Sequence, residues 1–109
     1  MNVEAPDEFT IAVRREGPHA IVEIAGELDL HESARFEEQV SAALTDVATI
    51  ELDASGLTFI DSAGLQALLA ARDDARERGI HFRFTAVSEQ VARVVEVAGL
   101  HDLLSGEPW

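Results

Sequence analysis

The chain has no cysteine and no lysine, and no apolar run near the roughly 20 residues needed to cross a bilayer. Without cysteine there is no disulfide framework, thiol nucleophile or thiolate metal site, and a reducing compartment is permitted. The N-terminus, Met1 to Glu8, is polar and acidic and lacks the basic and apolar regions of a secretory signal. These absences read as a soluble cytoplasmic protein. Positive charge is scarce too: 8 arginines against 21 acidic residues leave a formal net charge of −13. Such a surface is repelled by phosphate backbones and anionic lipid, so neither nucleic acid nor membrane is expected as a direct partner. A basic protein partner would be steered towards it. The same charge also keeps a small protein soluble, and it carries no information about fold.

What is present is enough for one globular domain. The 109 residues are 47% hydrophobic, and a chain of this size buries roughly two-thirds of the surface its unfolded form exposes. A single domain over 1–109 is expected, with a core at 8–104 and tails at 1–7 and 105–109. No internal repeat interrupts it.

Phe9, Ile11 and Val13 alternate with polar or small residues as a half-buried strand requires. Glu16-Gly17-Pro18 supplies a turn, and Ala20 to Ala25 forms a second strand, so the pair reads as an antiparallel hairpin. Gly26-Glu27-Leu28-Asp29 breaks the pattern and leads to a helix from about Ser33 to Thr45, with Phe36, Val40, Ala43 and Leu44 on one face. Val47 to Asp53 is the next strand, followed by a loop around Ala54-Ser55-Gly56. The second helix runs from about Ser62 to Arg78 with a stripe of Leu65, Leu68, Leu69 and Ala75, and Gly79 is placed to end it. Ile80 to Val87 is a strand through Ile80, Phe82 and Phe84. Ser88 is the expected N-cap of a third helix, with Val91, Val94, Val95 and Ala98 as its stripe. Gly99-Leu100 has the form of a Schellman close, and Leu103-Leu104 is compatible with a short final strand.

The order ββαβαβα implies parallel pairing wherever a helix joins two strands, through right-handed crossovers. Because the strands alternate, one sheet face should be poorly covered. The expected fold is therefore α/β, a small mixed sheet with its helices mainly on one face.

The apolar run ending in Ile60-Asp61-Ser62-Ala63-Gly64 places a serine where the second helix begins. Unpaired backbone N–H groups and the macrodipole favour negative charge there. From the residues alone, Ser62 can be a cap, worth about 1 kcal/mol, or a phosphorylation site whose product the helix end tolerates. Either Asp61 or Ser62 can serve as that cap. Asp29 is open as a turn residue or a docking contact. Gly64 permits close approach, of backbone on the sheet or of a partner. His19, His31, His81 and His101 lie on separate elements, so neither metal nor cofactor is expected. Arg72, Arg76, Arg78 and Arg83 interleave with Asp73, Asp74 and Glu77, which reads as a solvated helix face.

Three elements in register, Gly26-Glu27-Leu28-Asp29, Phe59-Ile60-Asp61-Ser62-Ala63-Gly64-Leu65 and Ala98-Gly99-Leu100, resemble the STAS domain. More narrowly they resemble the bacterial anti-sigma factor antagonists, over about Phe9 to Leu104. In that family the serine of the Asp-Ser-(Ser/Ala)-Gly-Leu element is phosphorylated by the anti-sigma factor, itself a serine kinase. The resemblance implies that Ser62 is the phosphorylated residue. The unphosphorylated form would bind the anti-sigma factor and free its sigma factor; phosphorylation would end binding and a serine phosphatase would restore it. Asp29, Leu30 and His31, with Asp61, Ser62, Ala63 and Gly64, match the partner-facing region. The free chain would be a monomer, a switch in transcription and stress response rather than a catalyst. Family members continue past the last strand into another helix, whereas here Ser105-Gly106-Glu107-Pro108 leads to Trp109. A role for a further helix is therefore not carried over.

Two rival readings remain. As an enzyme the chain would use Ser62 as nucleophile, but Ile60-Asp61-Ser62-Ala63-Gly64 lacks the glycine two residues before the serine that a nucleophile elbow needs. No histidine is placed locally as a base either. As a STAS accessory subunit of a transporter or lipid-transfer complex, the domain would never be phosphorylated.

Overall fold

Gly17, with φ of 61°, turns the chain between the first two strands. In the computed structural model, which describes residues 8–99, β1 (Thr10–Glu16) and β2 (His19–Leu28) form the expected antiparallel hairpin. Helix α1 (Ser33–Ala43) leads to β3 (Thr49–Ile60), α2 (Ser62–Glu77) to β4 (His81–Val87), and α3 (Glu89–Val97) follows. The sheet has the order β1-β2-β3-β4, with β2, β3 and β4 mutually parallel. Each strand joins the sheet beside its predecessor in one direction. Right-handed crossovers then deliver the helices to one face.

That face is the core. Val22, Leu52 and Phe84 lie in one row across the sheet, and Ala20, Ile50 and Phe82 in another, all buried. Phe36, Val40 and Leu44 of α1 and Leu68, Ala71 and Ala75 of α2 close over them. The opposite face carries Arg14, Glu23, Glu51, Asp53, Arg83 and Thr85. Arg14 bonds Glu23 at 2.8 Å and Glu16 at 3.1 Å. These exposed pairs contribute little to stability, but they fit a face that no helix among the described residues covers.

Several boundaries differ from those expected. β2 does not stop at Ala25, nor β3 at Asp53; they continue through Leu28 and Ile60, paired to the end. The glycine and polar positions that read as breaks are register shifts, near Ala25 and Gly56 and again beside Gly26 and Glu27. There a side chain takes up the displaced backbone. Asp53 Oδ1 accepts from the Ser55 N–H at 3.0 Å and its hydroxyl at 2.7 Å, and Thr58 donates to the Gly26 carbonyl at 3.1 Å. A Cβ on Gly56 would sit 2.9 Å from that of Ala25. A helix-spaced apolar stripe is only partly what is buried. In α2 Leu65 and Leu69 are half-buried while Ala67 and Ala71 are buried, because α2 packs closely on sheet and α1. In α3 only Val91 and Val95 are buried; Val94 and Ala98 are exposed, since a helix at the sheet's end presents one narrow line to it. Helix α1 ends two residues before Thr45, and Leu44 is its C-cap.

The Arg72–Arg83 segment is not one solvated face either. The Arg72 side chain is largely covered, and Arg83 lies on β4 beside Glu51 at 3.8 Å. Arg78 reaches both Asp74 at 3.2 Å and the Leu44 carbonyl at 3.3 Å. Ser88 caps α3 as expected, accepting from the Val91 N–H at 3.4 Å. Gly79 and Gly99 adopt positive φ after α2 and α3. The expected strand at Leu103-Leu104, the partner Leu100 of the helix close, His101 and both tails lie outside the described residues.

Candidate functional site

The ends of β2 and β3 lie side by side, Leu28 opposite Ile60, so the two loops that follow begin together. One is the turn from Asp29 into α1, the other the Asp61-Ser62 entry into α2. Asp29 builds its own turn: Oδ1 accepts from the N–H groups of His31 at 3.0 Å and Glu32 at 3.2 Å, and its carbonyl accepts from Ser33 at 2.9 Å. The Ser33 hydroxyl donates to the Leu30 carbonyl at 3.1 Å. Asp29 is thus a turn residue in its contacts. Leu30 stands at the apex with 69% of its surface exposed.

Asp61 is the N-cap of α2. Its backbone is extended, and Oδ1 accepts from the Gly64 N–H at 2.8 Å. That settles which of the two candidates caps: Ser62 is the first helical residue, exposed, and no hydrogen bond holds its hydroxyl among the described residues. The second oxygen of Asp61 accepts from the Leu30 N–H at 3.2 Å, and the Asp61 N–H donates to the Leu28 carbonyl at 3.3 Å. Gly64 is buried, and a Cβ there would collide with the Leu28 carbonyl oxygen. Of its two readings, close packing of helix backbone on the sheet end is the one the contacts show.

The structure therefore brings Asp29, Leu30, His31, Asp61, Ser62 and Ala63 into one surface, with Ala63 half-buried and His31 exposed, whereas Gly64, expected there too, is buried beneath it. Sequence reasoning did not single out Phe59. It lies beside Glu27 at the rim, 47% exposed, although it belongs to an apolar run. Its position one residue before the buried Ile60 was the available signal, since neighbours on a strand face opposite ways. Leu30 just past the end of β2 and Phe59 just before the end of β3 are both exposed, and the hydroxyl of Ser62 is open to solvent. The arrangement suits protein contact and modification of the serine.

Elsewhere the chemistry is sparse. Among the described residues no three His, Asp or Glu side chains converge as a metal site would require. Strand register does bring His19 and His81 to either side of Thr49, and His19 Nδ1 lies 2.7 Å from the Thr49 hydroxyl. The two bonds from Ser55, the backbone one foremost, hold the Asp53 carboxyl below the usual aspartate range. Hydrogen bonding to Glu16 raises Arg14. No helix among the described residues is long and apolar enough to cross a membrane.

A family profile described as "Mlab, STAS domain" matches residues 11–105. The chain is 30% identical over 115 aligned residues to the anti-sigma-F factor antagonist RsfB of Mycobacterium tuberculosis, covering 95% of this chain and 93% of RsfB. Solved structures share its fold. An anti-sigma factor antagonist from Mycobacterium paratuberculosis superposes with a TM-score of 0.79 at 24% identity, covering 94% of this chain and 87% of that one. The anti-sigma factor antagonist SpoIIAA in its unphosphorylated form superposes with a TM-score of 0.75 at 22% identity, covering 89% and 85%. The structure of SpoIIAA, from Bacillus, is known in a phosphorylated form as well.

Proposed function

As a member of the STAS domain family, this chain is, we propose, an anti-sigma factor antagonist switched by phosphorylation at Ser62. In its unphosphorylated form it binds an anti-sigma factor that is a serine kinase, and so releases the sigma factor. Phosphorylation at Ser62 ends that binding, and a serine phosphatase restores it. The observation that carries this reading is the division of labour at the start of α2. Asp61 caps the helix, which leaves the Ser62 hydroxyl exposed and uncommitted beside the loop that carries the exposed Leu30.

The electrostatics suit a switch that spares the fold. A phosphate adds about −1.5 to −2 charges. The helix end offsets part of that, by about 0.3–1 kcal/mol at an exposed site, while Asp61 next to it opposes it. Unmodified, the surface offers apolar anchors with a polar rim, the composition that carries binding energy in protein interfaces. Modified, it sets a dianion among them, and any acidic or apolar partner surface there pays with desolvation or repulsion. Asp29, Leu30, His31, Asp61, Ser62 and Ala63 form the contact face, and Gly64 fixes the depth at which α2 sits beneath it. The relatives matched by sequence are named antagonists, which favours this role over catalysis and over an accessory subunit of a transporter or lipid-transfer complex. The setting that goes with it is the cytoplasm, and the free chain is a monomer.

The reading is tested by incubating the chain with ATP and each purified anti-sigma factor kinase of its own genome. One of them should add a single phosphate, mapped to Ser62 by peptide mass, and Ser62→Ala should abolish the gain. Labelling that persists in Ser62→Ala sinks the site assignment.

A further inference from the structure

We propose that Asp61 is a positioning residue for partner recognition, holding Leu30 in place as an apolar anchor beside Ser62. This rests on the antagonist reading for the identity of the partner, but the positioning itself does not. Asp61 has two oxygens with separate tasks. Oδ1 closes the first turn of α2 through the Gly64 N–H, and Oδ2 takes the Leu30 N–H of the other loop. The turn from Asp29 to Ser33 is organised by its own short-range bonds. Those bonds fix its shape but not its placement against α2. The Leu28 carbonyl, against Gly64 and accepting from the Asp61 N–H, places the start of the turn, and the Leu30 N–H, 31 positions away in sequence from its acceptor, ties the apex.

The consequence is a coupling between a charged cap and an exposed apolar side chain. Leu30 projects with 69% of its surface free, an apolar side chain whose removal from water by a partner is favourable. An anchor binds well only if it is already held in its bound place, because ordering a loop on association costs free energy. The Asp61 carboxylate does that work in advance. It stands next to Ser62 in the chain, so the modified residue and the tethered anchor share one support. The occupant this surface fits is therefore the kinase itself, which must bring its catalytic groups to Ser62 and so must cover the adjoining loop.

The two tasks can be separated by substitution. In Asp61→Ser the hydroxyl still caps the helix, since serine is a strong N-cap, but a single short side chain cannot also reach Leu30. In Asp61→Asn one oxygen remains, and the amide nitrogen must face whichever N–H it does not serve. Two readouts follow. The first needs no partner: hydrogen exchange of the Leu30 amide should quicken about tenfold or more in Asp61→Ser, while the melting temperature stays near that of the parent. The second is a double-mutant cycle on affinity for the anti-sigma factor kinase that modifies the chain. Leu30→Ala and Asp61→Ser should each weaken binding by about tenfold, and the double variant no more than either alone. The lost negative charge acts in both backgrounds and cancels in the cycle.

Leu30 exchange that is unchanged in both Asp61→Ser and Asp61→Asn overturns the positioning role. Additive losses of affinity overturn the link between Asp61 and the anchor. If no anti-sigma factor kinase binds the parent chain, the antagonist reading and the anchor role fail together, whereas an Asp61-dependent Leu30 amide still establishes the tether.

Discussion

The carbonyl oxygen of Leu28 faces Gly64 so closely that a single methyl group on that glycine has no room. This contact joins the end of β2 to the first turn of α2 and sets the distance between the two loops of the candidate surface. Gly64 is required here for space, not for an unusual backbone angle, since it is not among the residues of positive φ.

Gly64→Ala should therefore cost about 1–3 kcal/mol or more of stability, the range for forcing volume into a packed contact. The obstacle is backbone, which cannot rotate away. Denaturant unfolding checks this. A variant as stable as the parent would mean that α2 can shift on the sheet without penalty.

Removal of the cap separates Asp61 from Ser62. Asp61→Ala should lower stability by about 0.5–2 kcal/mol, and Ser62→Ala should have almost none of that effect, because the Ser62 hydroxyl makes no capping bond. Thermal melts of the two variants decide it. A larger loss in Ser62→Ala would reverse the assignment of the cap.

Much of this was legible from residue pattern. The hairpin at Gly17, the cap at Ser88 and the parallel order of the later strands follow from turn chemistry, capping and alternation. The serine at a helix start was legible from Ile60-Asp61-Ser62. The lengths of β2 and β3 were not. Gly26 and Ala54-Ser55-Gly56 are break signals locally, but a neighbouring parallel strand can carry the ladder past a register shift when side chains such as Ser55 and Thr58 accommodate the displaced backbone. Nor was the pairing of Asp61 with Leu30 accessible, because it depends on the two loops starting at one end of the sheet. Exposure failed as a reading wherever apolar pattern stood in for burial. Val94 is exposed and Leu65 and Leu69 only half-buried, while Ala67 and Ala71 are buried, since helix position relative to the sheet decides which member of a stripe is covered.

Acid should affect the bulge in β3. Asp53 has its carboxyl lowered by the two Ser55 bonds. A carboxyl lowered in the folded state adds stability that is complete above its unfolded value, about 3.9. That stability is lost as pH falls through the lower folded value. Carbon-detected titration should place the Asp53 midpoint below an ordinary aspartate, and Ser55→Ala should move it part of the way back. The backbone bond remains in that variant, so a full return is not expected. A midpoint unmoved by Ser55→Ala would show that the hydroxyl does not stabilise the carboxylate.

Salt should slow recognition. With −13 on this chain, association with a basic kinase surface is steered over a Debye length of about 8–10 Å near physiological ionic strength. Stopped-flow measurement should show the association rate falling as salt rises, with dissociation changing less. An association rate indifferent to salt would remove the acidic surface from the encounter.

The most direct test of the switch compares the unmodified chain with the chain stoichiometrically phosphorylated at Ser62, measuring affinity for the kinase and circular dichroism on the same samples. Because the new charge sits at the favourable end of α2, the phosphorylated form is expected to keep its helical signal and melt near the unmodified form. Its affinity should fall by about a hundredfold or more, in line with the few kcal/mol that like-charge contact costs in an interface. Equal affinity in the two forms would contradict the switch, and a phosphorylated form that loses its helical signal would mean that release occurs by unfolding rather than by local repulsion at Ser62.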